Sequence, residues 1–403
     1  MKMNNSLNDN ILVYYFSIVL LTLSLSLPHA VLTVLLLDKG LTLSQILMIQ
    51  TSFSIAILIF EYPSGILADF LSRKAIFLIG KSLLILTFLS IIYFNNFWII
   101  FIGWFLYGVS TALTDGSLDA ELINDIKIND QDKLNKFVSR SHQLTFISLI
   151  VGSSLGSILY SKMDVYFYFI SIFFVVMTLL FVQLFFKNLG ASSQIQHKID
   201  FKLIKNQIIH GFQEINNSIY IKLIIILTIL SQFFFQTHFQ LWQAFLLNRS
   251  INPEHFFIFY IIFQLIGMFV YNISLDNIKL KISKLLIITI SLVATTLPIL
   301  IVFGNTFLSI LIYMIFVSLF TFIGYLCTYI FSKQVSKERI SSLTSFKATC
   351  ARIGAILSLL FGSLLLRFFG VEYVIIINFI ISIVSSLIVI FVFLKVNSSK
   401  NRH

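Results

Sequence analysis

Gly65-Ile66-Leu67-Ala68-Asp69-Phe70-Leu71-Ser72-Arg73-Lys74 joins two long apolar runs, 43–68 and 75–94. Within ten residues the chain leaves one apolar run, passes an acid and two adjacent bases, and enters the next. Each flanking run has the roughly 20 apolar residues that a helix needs to cross the hydrocarbon core of a bilayer. The stretch therefore reads as a tight polar turn between two membrane-spanning helices, with Arg73 and Lys74 holding it on the side where basic residues collect.

Working outward, the same alternation repeats. Apolar runs lie at 11–37, 43–68, 75–94, 97–118, 137–160 and 165–186. After a polar gap, others lie at 219–247, 255–275, 284–303, 306–331, 341–366 and 372–395. Of 403 residues, 58% are hydrophobic and 11% charged, and the mean hydropathy is +0.95. Soluble chains carry about 25% charged residues, so a water-soluble fold is excluded. Spanning strands would give alternating segments of about ten residues; these runs are long and continuous. The fold class expected is all-α integral membrane, with twelve transmembrane helices in two six-helix bundles. The first run exceeds the core of a signal peptide and reads as a retained span.

The net charge of +11 is explained by position, not by nucleic acid. With the N-terminus inside, the inner segments hold 21 Lys and Arg residues and the outer loops hold 4, namely Lys39, Lys162, Arg249 and Arg367. The positive-inside rule then places both termini in the cytoplasm of a multi-pass protein of the cell membrane. Cys327 and Cys350 fall inside apolar runs, so no disulfide scaffold is expected. No metal-ligand spacing, Ser/His/Asp grouping or phosphate-binding glycine loop occurs, so neither a cofactor, a metal, an enzyme nor an ATP-driven pump is expected.

The longest polar stretch divides the chain into a bundle at 1–187, a linker at 188–218 and a bundle at 219–403. Within the linker, Ile199 to Lys205 reads either as an amphipathic helix on the membrane surface or as a solvated basic face. The halves resemble each other. Gly65 to Asp69 matches Asn272 to Asp276 at an offset of 207, and Leu155-Gly156-Ser157 matches Phe361-Gly362-Ser363 at 206. Two matches at nearly one offset indicate a duplicated six-span unit, an arrangement found in transporters that alternate access between two halves.

The stretch at 65–74 resembles the signature of the major facilitator superfamily between its second and third spans, roughly G-x-L-x-D-R-x-G-R-K. Gly65, Leu67, Asp69, Arg73 and Lys74 match; Phe70 replaces the usual Arg and Ser72 the usual Gly. The resemblance implies a conformational latch. Gly65 permits close helix packing, and Asp69 faces the N-terminal end of span 11 near Ser341. Arg73 pairs with an acid after span 4, where Asp119, Glu121 and Asp125 are available. The drug-antiporter branches, to which the chain is also similar, carry two further patterns. In span 4, Gly108 and Ala112 fit, but Trp104 stands where a buried Arg is usual. In span 5, Ser148, Gly152, Ser153, Gly156 and Ser157 follow the antiporter spacing with Ser153 in place of Pro, a spacing that also serves ordinary packing.

Ionisable residues inside spans cost on the order of 3 kcal/mol or more and need a reason. Glu61, beside Pro63, reads either as a protonatable coupling group or as a buried structural partner, with Arg352 one candidate mate. Asp115 and His29 are further coupling candidates, each with a structural alternative. In span 7, Gln236, Gln240 and Gln243 share a helix face with Gln232. That stripe, with Trp242 and Arg352, is the candidate substrate cavity; interhelical bonding and interfacial anchoring are the alternatives for the glutamines and for Trp242. The function implied is secondary transport of a small organic solute by a monomer, favouring proton-coupled efflux of a drug-like or amphiphilic compound. Uptake symport and a non-transporting receptor or scaffold are the alternatives.

Overall fold

The computed structural model describes residues 2–187, 213, 215–275, 305–336 and 340–400. Expected span 9, at 284–303, and nearly all of the linker lie outside the described residues, as do the side chains of Gly65, Asp69 and Ser341. The described helices are α1 (Lys2–Ser26), α2 (Leu32–Asp38), α3 (Leu43–Phe70), α4 (Arg73–Tyr93), α5 (Phe97–Thr114), α6 (Leu118–Asn129), α7 (Lys133–Met163) and α8 (Tyr168–Phe185). They continue with α9 (Ile219–Asn248), α10 (Phe256–Tyr271), α11 (Thr306–Gln334), α12 (Ile340–Leu365) and α13 (Val371–Lys400). Ten segments are long and apolar enough to cross a membrane, and one of them, Lys133–Phe185, contains both α7 and α8. This is an all-α, multi-pass membrane protein.

Helix starts follow local chemistry. Thr42 and Gln45 form a capping box at the start of α3, and Asn96 accepts from the amides of Trp98 and Ile99 at α5. Asn305 does the same for Phe307 at α11. These side chains satisfy amide groups that a helix leaves without intrahelical partners.

One expectation is corrected. The first apolar run, 11–37, is not one helix. It breaks at 27–31 between α1 and α2, where Pro28 lacks an amide donor and its ring opposes a continuing helix. The segment after span 4 forms a helix of its own, α6, which buries Leu118, Leu122 and Ile126.

The chain divides into two compact units. The first comprises 1–198 with 252–260, and the second 199–251 with 261–403. In the first, α1 packs on α7 and α8, while α5 packs on α3 and α4; in the second, α9 packs on α12, α13 and α11. Ser171 Oγ donates to the Ser24 carbonyl at 3.1 Å, joining α8 to α1. Ser382 Oγ donates to the Leu230 carbonyl at 2.9 Å, joining α13 to α9. The two acceptors are 206 positions apart, the offset already visible in the sequence repeats. Large apolar side chains such as Leu86, Ile102, Leu184 and Phe391 are exposed along the helices, as lipid-facing surfaces require.

Candidate functional site

Ser72, the departure from Gly in the turn at 65–74, accepts from the Ala75 amide at 3.2 Å and caps α4. A glycine there would supply no side-chain cap. Lys74 Nζ donates to the carbonyls of Gln183 and Phe186 at 2.9 and 2.7 Å. A cation thus sits on the C-terminal carbonyls of α8, where the helix dipole favours it. The same end of α8 is tied to α1: Asn10, fully buried, exchanges hydrogen bonds with the backbone of Lys187.

Arg73 does not pair with an acid as expected. Its Nη1 donates to the Gly116 carbonyl at 3.2 Å, and among the described residues no ion pair joins it to Asp119, Glu121 or Asp125. Glu121 and Asp125 are buried at 4% and 1% exposure, near enough for Arg73 to attract both. Neither Asp125 carboxylate oxygen has a hydrogen-bond partner among the described residues. The carbonyl is reachable because Gly116 turns the chain at φ +71°, a conformation that costs other residues energy.

Beside this turn lies a cavity of about 390 Å³ in the first unit. Tyr14, Ser17, Ile18 and Leu21 of α1 form one wall, Phe77 and Lys81 of α4 a second, and Thr114 to Asp119 a third. Lys81 is 8% exposed. Its Nζ donates to Thr114 Oγ1 at 2.9 Å and lies 5.8 Å from the Phe77 ring centroid, and Asp115 attracts it. Ser17 Oγ is buried and has no hydrogen-bond partner among the described residues. Asp115 is exposed and Asp119 half-buried, while the ammonium-bearing Lys81 is enclosed. Lys81 is not among the residues singled out from the sequence. The signal was present, since a lysine inside an apolar run carries the same penalty as Glu61.

The pattern of the Major Facilitator Superfamily matches residues 14–325. The chain belongs to the Major Facilitator Superfamily. A relative from Bacillus subtilis (strain 168), an uncharacterized MFS-type transporter, YxaM, is 27% identical over 226 residues, 54% of each chain. The chain thus spans about half the length of the curated relative it matches. Among solved structures, the nucleoside transporter NupG superposes with a TM-score of 0.77 at 16% identity, covering 96% of this chain and 99% of that one. The POT family transporter PepTSo superposes with a TM-score of 0.69 at 13% identity, covering 98% and 99%. At these identities the likeness concerns the fold.

Within this Major Facilitator Superfamily fold the remaining candidates are dispersed. Glu61 is exposed on α3, without the burial on which its reading as a coupling group or buried partner rested. His29 Nδ1 lies 2.9 Å from the Tyr260 hydroxyl in the first unit. On α9, Gln236 Nε2 donates to Gln232 Oε1 at 3.2 Å, one turn along the same face. Gln240 is half-buried and Gln243 is buried at 2% exposure. Trp242 is 4% exposed and packs edge-on against Phe263 at 5.4 Å, so it is no exposed interfacial anchor. Arg352 is half-buried on α12 and makes no hydrogen bond to this stripe among the described residues. The small residues of span 5 pack against the end of α1. Ser26 Oγ donates to the Ser148 carbonyl at 3.2 Å, and a Cβ on Gly156 would overlap the Leu27 carbonyl. Trp104 is buried, stacking edge-on with Tyr107.

Proposed function

We propose that this Major Facilitator Superfamily protein is a proton-coupled exporter of a drug-like or amphiphilic solute in the cell membrane, working by alternating access with both termini cytoplasmic. The single observation that supports this best is the cavity at Lys81. Its walls mix apolar side chains, Ile18, Leu21, Phe77 and Leu118, with ionisable ones, Lys81, Asp115 and Asp119, as an amphiphile needs. Asp115 replaces Glu61 as the leading coupling residue, because it lines that cavity opposite a buried ammonium, while Glu61 is exposed. The turn at 65–74, with Asp69, Arg73 and Lys74, acts as the conformational latch. The bundles are 1–187 and 219–403, joined by the linker at 188–218.

Uptake by symport is the second reading. It is favoured by Trp104 and Ser153, which depart from the antiporter patterns, and by the use of Gly152 and Gly156 in packing. Purified protein in vesicles of known orientation, given pH gradients of either sign and a panel of amphiphilic amines, organic acids and nucleosides, separates the readings. Flux against an inward-directed proton flow identifies export; flux with it identifies uptake. If no solute responds to a gradient of either sign, proton coupling is wrong.

A further inference from the structure

We propose that the cavity between α1, α4 and the α5–α6 turn binds the anionic group of the transported solute, seated on Lys81 and Ser17. This deepens, and rests on, the reading of the chain as a transporter of a small organic solute, and it holds for either direction of transport.

The case begins with cost. Lys81 lies eight residues into α4, about 12 Å beyond the basic turn at a rise of about 1.5 Å per residue, and it is almost wholly enclosed. An ammonium taken out of water loses several kcal/mol of hydration even after relaxation. Its returns are one hydrogen bond to a neutral threonine hydroxyl and the attraction of Asp115, which leave two of the ammonium's three N–H donors without a hydrogen bond among the described residues. A structural need for a contact between α4 and α5 is already met nearby: a Cβ on Gly80 would lie 3.2 Å from the Ser110 carbonyl, so the helices touch without Lys81. The positive charge therefore faces the cavity for a reason other than helix packing.

The surroundings decide the sign of the ligand. Two of the buried polar groups lining the cavity are donors or can donate, Lys81 Nζ and Ser17 Oγ; the Tyr14 hydroxyl is half-buried and lies near Asp119. Ser17 is 2% exposed, and its oxygen has no partner among the described residues. A buried hydroxyl without a partner costs about 1–3 kcal/mol, a penalty that a ligand acceptor would remove. Of the acids, Asp115 is exposed, where screening weakens its repulsion of an incoming anion, and Asp119 is half-buried. The ammonium acts at short range in a medium of lower dielectric, where its pull is stronger. Around the anionic seat, Ile18, Leu21 and Phe77 offer an apolar wall. The ligand class is thus a small amphiphilic acid: an anionic head on Lys81 and Ser17, and an apolar body along α1 and α4. A free carboxylate solute and the phosphate of a lipid headgroup share the head chemistry; enclosure on three sides favours the solute.

The test uses three probes of nearly one shape: benzoate, benzamide and benzylamine, added at equal concentration and ionic strength to the purified full chain in neutral detergent. Ligands that bind only the folded state raise its unfolding temperature. Benzoate should raise it saturably, and benzamide and benzylamine should not. Lys81→Met, close in length but uncharged, should abolish the benzoate response. Ser17→Ala, which removes only an unpartnered hydroxyl, should fold as well as the parent and weaken benzoate severalfold, so it decides the matter if Lys81→Met is unstable. Equal responses to benzoate and benzamide, a preference for benzylamine, or an undiminished benzoate response in both variants would overturn the proposal. Repeating the titration with added phosphatidylglycerol or phosphatidylcholine distinguishes the sources. Loss of the benzoate response with phosphatidylglycerol alone would assign the seat to a lipid headgroup and sink the solute assignment. Failure of the transport reading looks different: benzoate would bind at Lys81 while no solute in the vesicle panel moved.

Discussion

Arg73 and Gly116 are joined by a hydrogen bond of 3.2 Å from the guanidinium to the backbone carbonyl. The bond spans the start of α4 and the turn that ends α5, and it exists because Gly116 takes a left-handed conformation. A Cβ at Gly116 would meet nothing within 4 Å. The penalty for substitution is therefore one of backbone conformation, not of space.

Gly116→Ala should accordingly cost about 1–2 kcal/mol, the usual penalty of left-handed backbone for a residue with a Cβ. Gly116→Asn should cost less, because asparagine tolerates that region. Thermal unfolding of the two variants beside the parent checks the order. Alanine proving as stable as asparagine would mean that the turn does not hold this conformation.

The glycines of span 5 supply a second prediction. A Cβ on Gly156 would overlap the Leu27 carbonyl, which is backbone and cannot rotate away. Gly156→Ala should push α7 from α1 and cost about 1–3 kcal/mol, the range for overpacked sites. Gly267, on α10, has nothing within 4 Å of its Cβ position, and Gly267→Ala should be neutral or stabilising by up to about 1 kcal/mol. Equal unfolding temperatures for both variants would refute close α1–α7 packing.

The fold was legible in the sequence because lipid imposes one rule on every span: about 20 apolar residues with charge confined to the turns. The run 75–94 became α4 almost residue for residue. The exceptions have local causes. Pro28 breaks the first run, and α6 was hidden because it mixes Asp119, Glu121 and Asp125 with its apolar face. The site was far less legible. Asp115 and Asp119 could be picked out as acids near a span end, but nothing in one dimension says that Lys81, 34 residues earlier, shares their cavity. The stripe at Ser148, Gly152 and Gly156 had two readings, and only three-dimensional contact with Ser26 and Leu27 favours packing.

Orientation is tested by chemistry at four exposed turn positions. After replacement of Cys327 and Cys350, single cysteines at Asn96 and Asn305 should react with an impermeant thiol reagent on intact cells. Cysteines at Ser72 and Ser336 should react only after permeabilisation. The reverse pattern would turn the protein over, and a mixed pattern would break the assignment of spans.

Two carboxylates now compete for the role of coupling residue, and their settings differ enough to separate them. Glu61 is exposed on α3 beside Pro63, and its backbone carbonyl accepts from Ser64 Oγ at 2.8 Å. Asp115 ends α5 and lines the cavity that holds Lys81. A carboxylate can couple a proton to a solute only if its charge state changes when the solute arrives. An anion arriving at Lys81 would take the ammonium that Asp115 faces and leave Asp115 readier to accept a proton, since losing a nearby opposite charge favours the neutral form. Proton and anion would then travel together, as the uptake reading requires, whereas export requires Asp115 to take its proton after the solute has left. Among the described residues Glu61 is in no ion pair that could undergo that exchange. Asp115→Asn should therefore reduce gradient-driven flux to the level seen without a gradient, while leaving solute exchange at equal pH intact. Glu61→Gln should keep most of the gradient-driven flux. Both should unfold near the parent temperature, because each side chain is exposed and its amide is isosteric. Flux and unfolding temperature are measured on the same preparations in the same lipid. Full gradient-driven flux in Asp115→Asn, or its loss in a stable Glu61→Gln, would return the role to Glu61 or pass it to His29.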